Sequence, residues 1–376
     1  MSQNRLANGE APSRAALRNA RRVCVKAGTS VVANDDGLPS LTRLGAIAEQ
    51  IAELNRNGVE VIFVSSGAVG MGKRVLRKQT KMLMTFSELQ HETSSSLMEQ
   101  ELRRNSESFA SLLHFNARPH TSAQKKKYYD SACAAAGQFE MMNLYSSLFD
   151  QVDVSASQIL VTQADFKDEQ RKNNLIYAVD RLLSLGIVPI VNENDAVSAN
   201  MGYTPDDAFS DNDSLAALCA RSFNAEVLLL LTDVEGVFDS SPKENPNAKL
   251  LSFYQQSSEV IIGSKSAQGR GGMSSKIEAA SFAVSPGSRC TACVVAAGSD
   301  LNSIRAILGP DPKYGSKGTL FVSPGSDLEK QALQDFATSE VRCNRLMSIY
   351  GVTCISLIPF IFSNKNRQEA FRRKLE

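Results

Sequence analysis

Residues 41–64, LTRLGAIAEQIAELNRNGVEVIFV, decide the fold. Leu41, Leu44, Ile47, Ala48, Ile51 and Leu54 recur at helical spacing until Asn57-Gly58 ends the helix, and Val59 to Val64 then reads as an apolar strand. The alternation extends both ways. Val23 to Val25 is a short strand upstream. Downstream come a helix over Leu175 to Leu185, a strand Ile187 to Val191, a helix from Ser214, a strand Val227 to Leu231, a helix from Gly271 and a strand Thr291 to Val295. Strands separated by helices predict an α/β protein, a three-layer αβα sandwich around a mainly parallel open sheet. In such sheets ligands bind at the carboxyl ends of the strands, and the polar clusters of this chain fall there or at helix starts.

Composition narrows the function. A chain of 376 residues with a net charge of +1 lacks the basic excess that nucleic-acid binding needs. Seven scattered cysteines fit a reducing compartment better than a disulfide framework, and the Cys290–Cys293 pair, at the edge of an apolar strand, reads as packing. Residues 1–22 are arginine-rich with a single acid, Glu10, and no apolar h-region, so they are expected to form a flexible leader and not a secretory signal. The cytoplasm is the expected location, with a mitochondrial presequence as the minority reading. Leu346 to Phe362 is an uncharged apolar run, short for a bilayer span and interrupted by Gly351 and Pro359. It reads as a docking segment or a truncation, with a tail anchor as the minority reading. Gln79 to Lys127 is a polar insertion without a clear period that holds all three histidines, His91, His114 and His120. Neither a metal site nor catalysis by histidine is expected from them.

The chemistry sits in several short blocks. Gly269-Arg270-Gly271-Gly272-Met273-Ser274-Ser275-Lys276 combines glycines, hydroxyls and a lysine at a helix start, which suits a phosphate. Lys26-Ala27-Gly28-Thr29-Ser30 places an ammonium before a glycine turn, and Ser65-Ser66-Gly67-Ala68 offers a hydroxyl and bare backbone. Asn192-Glu193-Asn194-Asp195, Asp211-Asn212-Asp213 and Thr232-Asp233 complete the set. Gly67 to Lys73 also spells seven positions of a P-loop. The eighth is Arg74, where Mg²⁺ ligation needs a hydroxyl, so Lys73 and Arg74 read as exposed residues of an ordinary helix. Asp211-x-Asp213 lacks the glycine and distal glutamate of an EF-hand.

These blocks, with Ala136-Gly137-Gln138, Leu231 to Gly236 and Gly318-Thr319-Leu320-Phe321, resemble in order the glutamate 5-kinases of the amino-acid kinase family, and more closely the kinase half of the bifunctional delta-1-pyrroline-5-carboxylate synthases. The resemblance runs from about residue 23 to residue 321. It implies an ATP-dependent transfer of phosphoryl to the side-chain carboxylate of L-glutamate, the first step of proline synthesis. Lys26 and Lys276 would be the catalytic clamp. Gly28, Ser66 and Gly67 would line the track between donor and acceptor, and Asn192, Asp195 and Asn212 would hold glutamate. Thr232, Asp233, Arg270, Gly271, Gly272, Met273, Ser274 and Ser275 would contact ATP. Asp211 and Asp213 would orient the two lysines or help place Mg²⁺, which the phosphates hold in the main, with no metal set of protein ligands. A homo-oligomer is expected, with proline as an inhibitor, although the 79–127 insertion replaces a connection tied to that inhibition in relatives. Residues 322–376 remain unassigned, with a linker helix hinted at over Lys330 to Asn344. The alternatives are a kinase fragment of a bifunctional synthase, a non-catalytic amino-acid sensor on the same fold, and a P-loop ATPase using Lys73.

Overall fold

The structure, a computed structural model, describes residues 11–83, 122–198, 208–209, 211–242, 244–255, 272–309 and 317–350. In chain order its elements are α1 (Pro12–Ala16), a 3-10 turn (Leu17–Asn19), β1 (Arg22–Ala27), α2 (Thr29–Val32), α3 (Leu41–Arg56), β2 (Glu60–Ser65) and α4 (Ala68–Leu83). There follow α5 (Ser122–Asp150), β3 (Ala156–Val161), α6 (Gln163–Lys167), α7 (Glu169–Ser184), β4 (Val188–Glu193) and α8 (Asp195–Ser198). The last are α9 (Asn212–Ser222), β5 (Val227–Thr232), α10 (Met273–Ala283), β6 (Ala292–Ala297), α11 (Ser303–Leu308), β7 (Thr319–Val322) and α12 (Asp327–Tyr350).

The seven strands lie in the order β3-β4-β2-β1-β5-β6-β7. Every pairing is parallel except β6 with β7. β1 is central, with Val25 opposite Phe63 on one side and Leu229 on the other. Strand side chains alternate between faces, and so does the core. Val23, Val25 and Ala27 pack with α3, α5 and α11, whereas Cys24 packs on the other face with α7, α9 and α10. The expected αβα sandwich is therefore built. The sequence reading missed two strands, both at the edges. β3 is half exposed and mixes Ser157 and Gln158 with apolar residues, and β7 is four residues long.

Other expectations are corrected. The leader is folded from Pro12 onward, because Arg14 is buried and donates to the carbonyls of Ser252, Gly318 and Lys317 at 2.6, 2.7 and 2.8 Å, while Leu17 enters the core. The ends of the 79–127 insertion are helical, continuing α4 to Leu83 and opening α5 at Ser122. Residues 84–121, with the three histidines, lie outside the described residues, as do residues 1–10. The helix hinted at beyond Lys330 is α12, which starts at Asp327, and Ser13 N–H donates to Asp335 Oδ2 on it at 2.9 Å. Most of the apolar 346–362 run lies outside the described residues. Among those described, no helix is long and apolar enough to cross a membrane.

Candidate active site

Strand parity positions the first catalytic candidate. Lys26 lies on the same face of β1 as Cys24, so its side chain runs under the start of α9 and is buried there. α9 begins at that spot because Asp211 caps it, its carboxylate accepting from Ser214 N–H at 2.8 Å while Ser214 Oγ bonds back. Asp213, in the first turn, then faces the sheet. Lys26 Nζ donates to Asp213 Oδ1 at 2.6 Å, and Lys276 Nζ, from the first turns of α10, donates to Oδ2 at 3.1 Å. Two lysines 250 positions apart thus share one carboxylate. Burial by itself would raise the carboxyl pKa of Asp213, but the two ammonium charges and their hydrogen bonds outweigh that and hold it below its ordinary value. Two cations against one anion leave a local positive charge, which an incoming phosphate can meet.

A second group lies beside the first. Asn212, immediately before Asp213, donates through Nδ2 to Ser66 Oγ at 2.7 Å and also lies 3.3 Å from Ser65 O and from Asn192 Oδ1. Asn192, at the end of β4, donates to Gln138 Oε1 on α5 at 2.9 Å. Gln138 Nε2 is buried and has no partner among the described residues, a donor left over beside the bonded amides of Asn192 and Asn212. Gln138 stood in the sequence only as part of the Ala136-Gly137-Gln138 block, with no role attached. Below it, Ser65 Oγ lies 2.5 Å from the Tyr145 hydroxyl. Ser65 stood in the sequence only within the Ser65-Ser66-Gly67-Ala68 block, with no role of its own, and Tyr145 was not singled out, because a tyrosine in a long helix carries no signal alone.

The glycines fit tightly around these groups. A Cβ on Gly28 would stand 3.2 Å from Lys26 Nζ, and Gly67 has φ of +108°, where a side chain is rarely tolerated. Asp195 opens α8, half-buried, with its carbonyl accepting from Ser131 Oγ at 3.3 Å. Thr232 is buried at the end of β5 and donates to Asp233 Oδ1 at 2.9 Å, while Asp233 is exposed. At the α10 start, Gly272 is the N-cap; Ser275 Oγ donates to Gly272 O at 3.1 Å and Ser274 Oγ to Glu278 Oε1 at 2.9 Å. Met273 is the first residue of that helix. Arg270 and Gly271 lie outside the described residues. Asp211, expected to share in orienting the lysines, is instead the helix cap, and both lysines donate to Asp213.

The P-loop parse has a different physical explanation. Gly72 and Gly137 let α4 and α5 cross backbone to backbone, since a Cβ on either would run into Cys133 O or Ala68 O. Lys73 pairs with Asp130 of α5 at 3.3 Å, and Arg74 is exposed. Cys290 and Cys293 are buried, and burial pushes the Cys290 thiol up to about 12. Among the described residues no cluster of three or more His, Cys, Asp or Glu could hold an ion. Both oxygens of Asp213 already accept from lysine, so the donor set fits a metal carried by phosphate oxygens better than one caged by protein.

A central parallel sheet with two lysines gathered at its carboxyl edge defines the class, and the chain belongs to the amino acid kinase family, whose sequence model matches residues 21–295. Among individual proteins it is 39% identical over 316 residues to Delta-1-pyrroline-5-carboxylate synthase 1 of Oryza sativa subsp. japonica, covering 82% of this chain and 38% of that protein. It is 41% identical to the Delta-1-pyrroline-5-carboxylate synthase of Solanum lycopersicum over 73% of this chain and 34% of the other. The Glutamate 5-kinase of Clostridium acetobutylicum is 33% identical, with 81% of this chain and 96% of that one aligned. The chain therefore spans little more than a third of the length of the two synthases, at 38% and 34%, and 96% of the kinase.

Proposed function

We propose that this chain transfers the γ-phosphoryl of ATP to the side-chain carboxylate of L-glutamate, giving L-glutamyl 5-phosphate and ADP. The observation that carries the reading is the buried Asp213 carboxylate holding Lys26 and Lys276 at one point beside the Asn212, Asn192 and Gln138 amides. A carboxylate oxygen attacks Pγ, the bond from Pγ to the bridging oxygen breaks, and no proton has to move. The chemistry thus asks for positioning and charge stabilisation, with no general base. Lys26 and Lys276 are the proposed clamp on the transferring group. Gly28, Ser66 and Gly67 line its path, with the glycines leaving backbone N–H groups accessible. Asn192, Asp195 and Asn212 hold glutamate, Asp195 suited to the ammonium and the amides to a carboxylate, and the spare donor of Gln138 suits the same anion. Thr232, Asp233 and Arg270 to Ser275 take the nucleotide. Mg²⁺ carried on the phosphates would supply further positive charge against the charge developing in the transfer.

The test is a hydroxamate assay with glutamate, ATP and Mg²⁺, run beside aspartate and with added proline. Glutamate-dependent hydroxamate is expected, and its absence with folded protein would overturn the reading. Lys276→Ala is expected to lower kcat by about a hundredfold or more while glutamate still binds, measured as ADP release and by calorimetry. The intact pair of lysines disfavours a non-catalytic sensor. A second reading, that the chain is the kinase portion of a longer synthase, is supported by its covering 38% of the rice protein. The mass of the polypeptide isolated from its natural source decides that point. Proline inhibition, a homo-oligomer and a cytoplasmic location belong to the same proposal, and the proline arm, a sedimentation run and fractionation test them.

A further inference from the structure

The Tyr145 hydroxyl takes no part in the reaction above, yet it is buried under the loop that the reaction uses. It lies 2.5 Å from Ser65 Oγ, and its ring meets Phe63 edge-on. Ser65 Oγ has a single hydrogen to give, and its other neighbours are Ser66 O at 3.2 Å and Met141 Sδ at 3.8 Å. A carbonyl accepts better than a thioether, and a serine hydrogen given to the phenol would leave the Tyr145 hydrogen without an acceptor among the described residues, so the serine hydrogen goes to Ser66 O and Tyr145 is the donor to Ser65. Burial raises the phenol's pKa, which keeps that donor protonated. The Ser66 carbonyl and the Gly67 N–H belong to one planar peptide and point in opposite directions. Fixing the oxygen on one side of the peptide therefore fixes the N–H on the other. At Gly67, with φ of +108°, ordinary backbone preference does not set that orientation. Among the described residues the Gly67 N–H has no acceptor.

We propose that Tyr145 is a positioning residue which, through Ser65, orients the Ser66–Gly67 peptide so that the Gly67 N–H donates to the transferring phosphoryl group. The inference rests on the phosphotransfer reading and adds to it the device that holds one donor in place. Tyr145→Phe removes only the hydroxyl. Its kcat is expected to fall about tenfold, with KM for glutamate and ATP changed less than about twofold. Ser65→Ala is expected to do the same, and the double variant to be no worse than either single. A lowered Tm with kcat per folded molecule within twofold of the parent, or additive losses in the double variant, would overturn it. A second measurement reads the amide directly: the ¹⁵N resonance of Gly67 is expected to move in both single variants. If the parent forms no glutamyl phosphate, the proposed reaction fails and this arm alone decides, an unmoved Gly67 resonance in both variants sinking the positioning role.

Discussion

Asp213 turns two mutually repelling ammonium groups into a fixed cationic pair. Replacing it by Asn leaves the volume and removes the shared anion, so the buried Lys26 and the half-buried Lys276 cations face each other. Asp213→Asn is expected to cost about 3 kcal/mol of stability and to lower kcat at least tenfold. The pH dependence has a definite sign. A carboxyl whose pKa is depressed by folding stabilises the protein fully above its ordinary value of 3.8 and loses that contribution as pH falls through its lower folded value. The difference in Tm between parent and Asp213→Asn, followed by calorimetry from neutral to strongly acid solution, should stay level above pH 4 and shrink below it. At this scale the sequence was legible where chemistry is carried by residue type. Lys26, Lys276, Asn192, Asn212 and Ser66, taken from separate motifs, lie together in the structure. What sequence could not resolve was the division of labour between Asp211 and Asp213. One caps a helix and the other anchors two lysines, and that depends on which way the first turn of α9 faces.

The pair α4 and α5 shows how an element can imitate a motif. Its glycines exist for a close crossing: a Cβ on Gly137 would collide with Ala68 O, whereas one on Gly70 would meet nothing. Gly137→Ala is therefore expected to destabilise the fold by about 1–3 kcal/mol. Gly70→Ala, at an exposed helical position, is expected to stabilise it by about 0.4–1 kcal/mol through the unfolded chain. Urea denaturation at equilibrium distinguishes the two, and equal effects would contradict the crossing. The P-loop spelling was rightly set aside on Arg74 alone, but the reason the glycines are present needed three dimensions. Helix α5 was illegible for a related reason. It buries Met141, Tyr145 and Phe149 on one side while Phe139 lies exposed, so apolar residues fall all round it and no clean period marks it.

Across the whole molecule, the fold extends past the 21–295 stretch that carries the family likeness. Arg14 ties the N-terminal turn to the carbonyls of Ser252, Lys317 and Gly318, and α1 packs on α12 through Ser13 and Asp335. Arg14→Ala would remove a donor from three carbonyl oxygens, of which Gly318 O is buried and Ser252 O keeps the Leu320 N–H at 3.0 Å, so a loss of about 1–3 kcal/mol is expected. A thermal melt checks this, and an unchanged Tm would show the turn to be dispensable. Composition pointed the other way here. An arginine-rich, acid-poor stretch looks unstructured until its cation is seen to satisfy backbone from distant segments.

The central place of β1 reaches back to synthesis on the ribosome. One neighbour, β2, follows at once, but the other is β5, with Val23 paired to Val227. At translation rates of about 5–20 residues per second, the nascent first strand waits roughly 10–40 s for that partner. During that interval its apolar flank stands open, so chaperone capture and the pace of elongation bear on yield as much as the stability of the finished protein does.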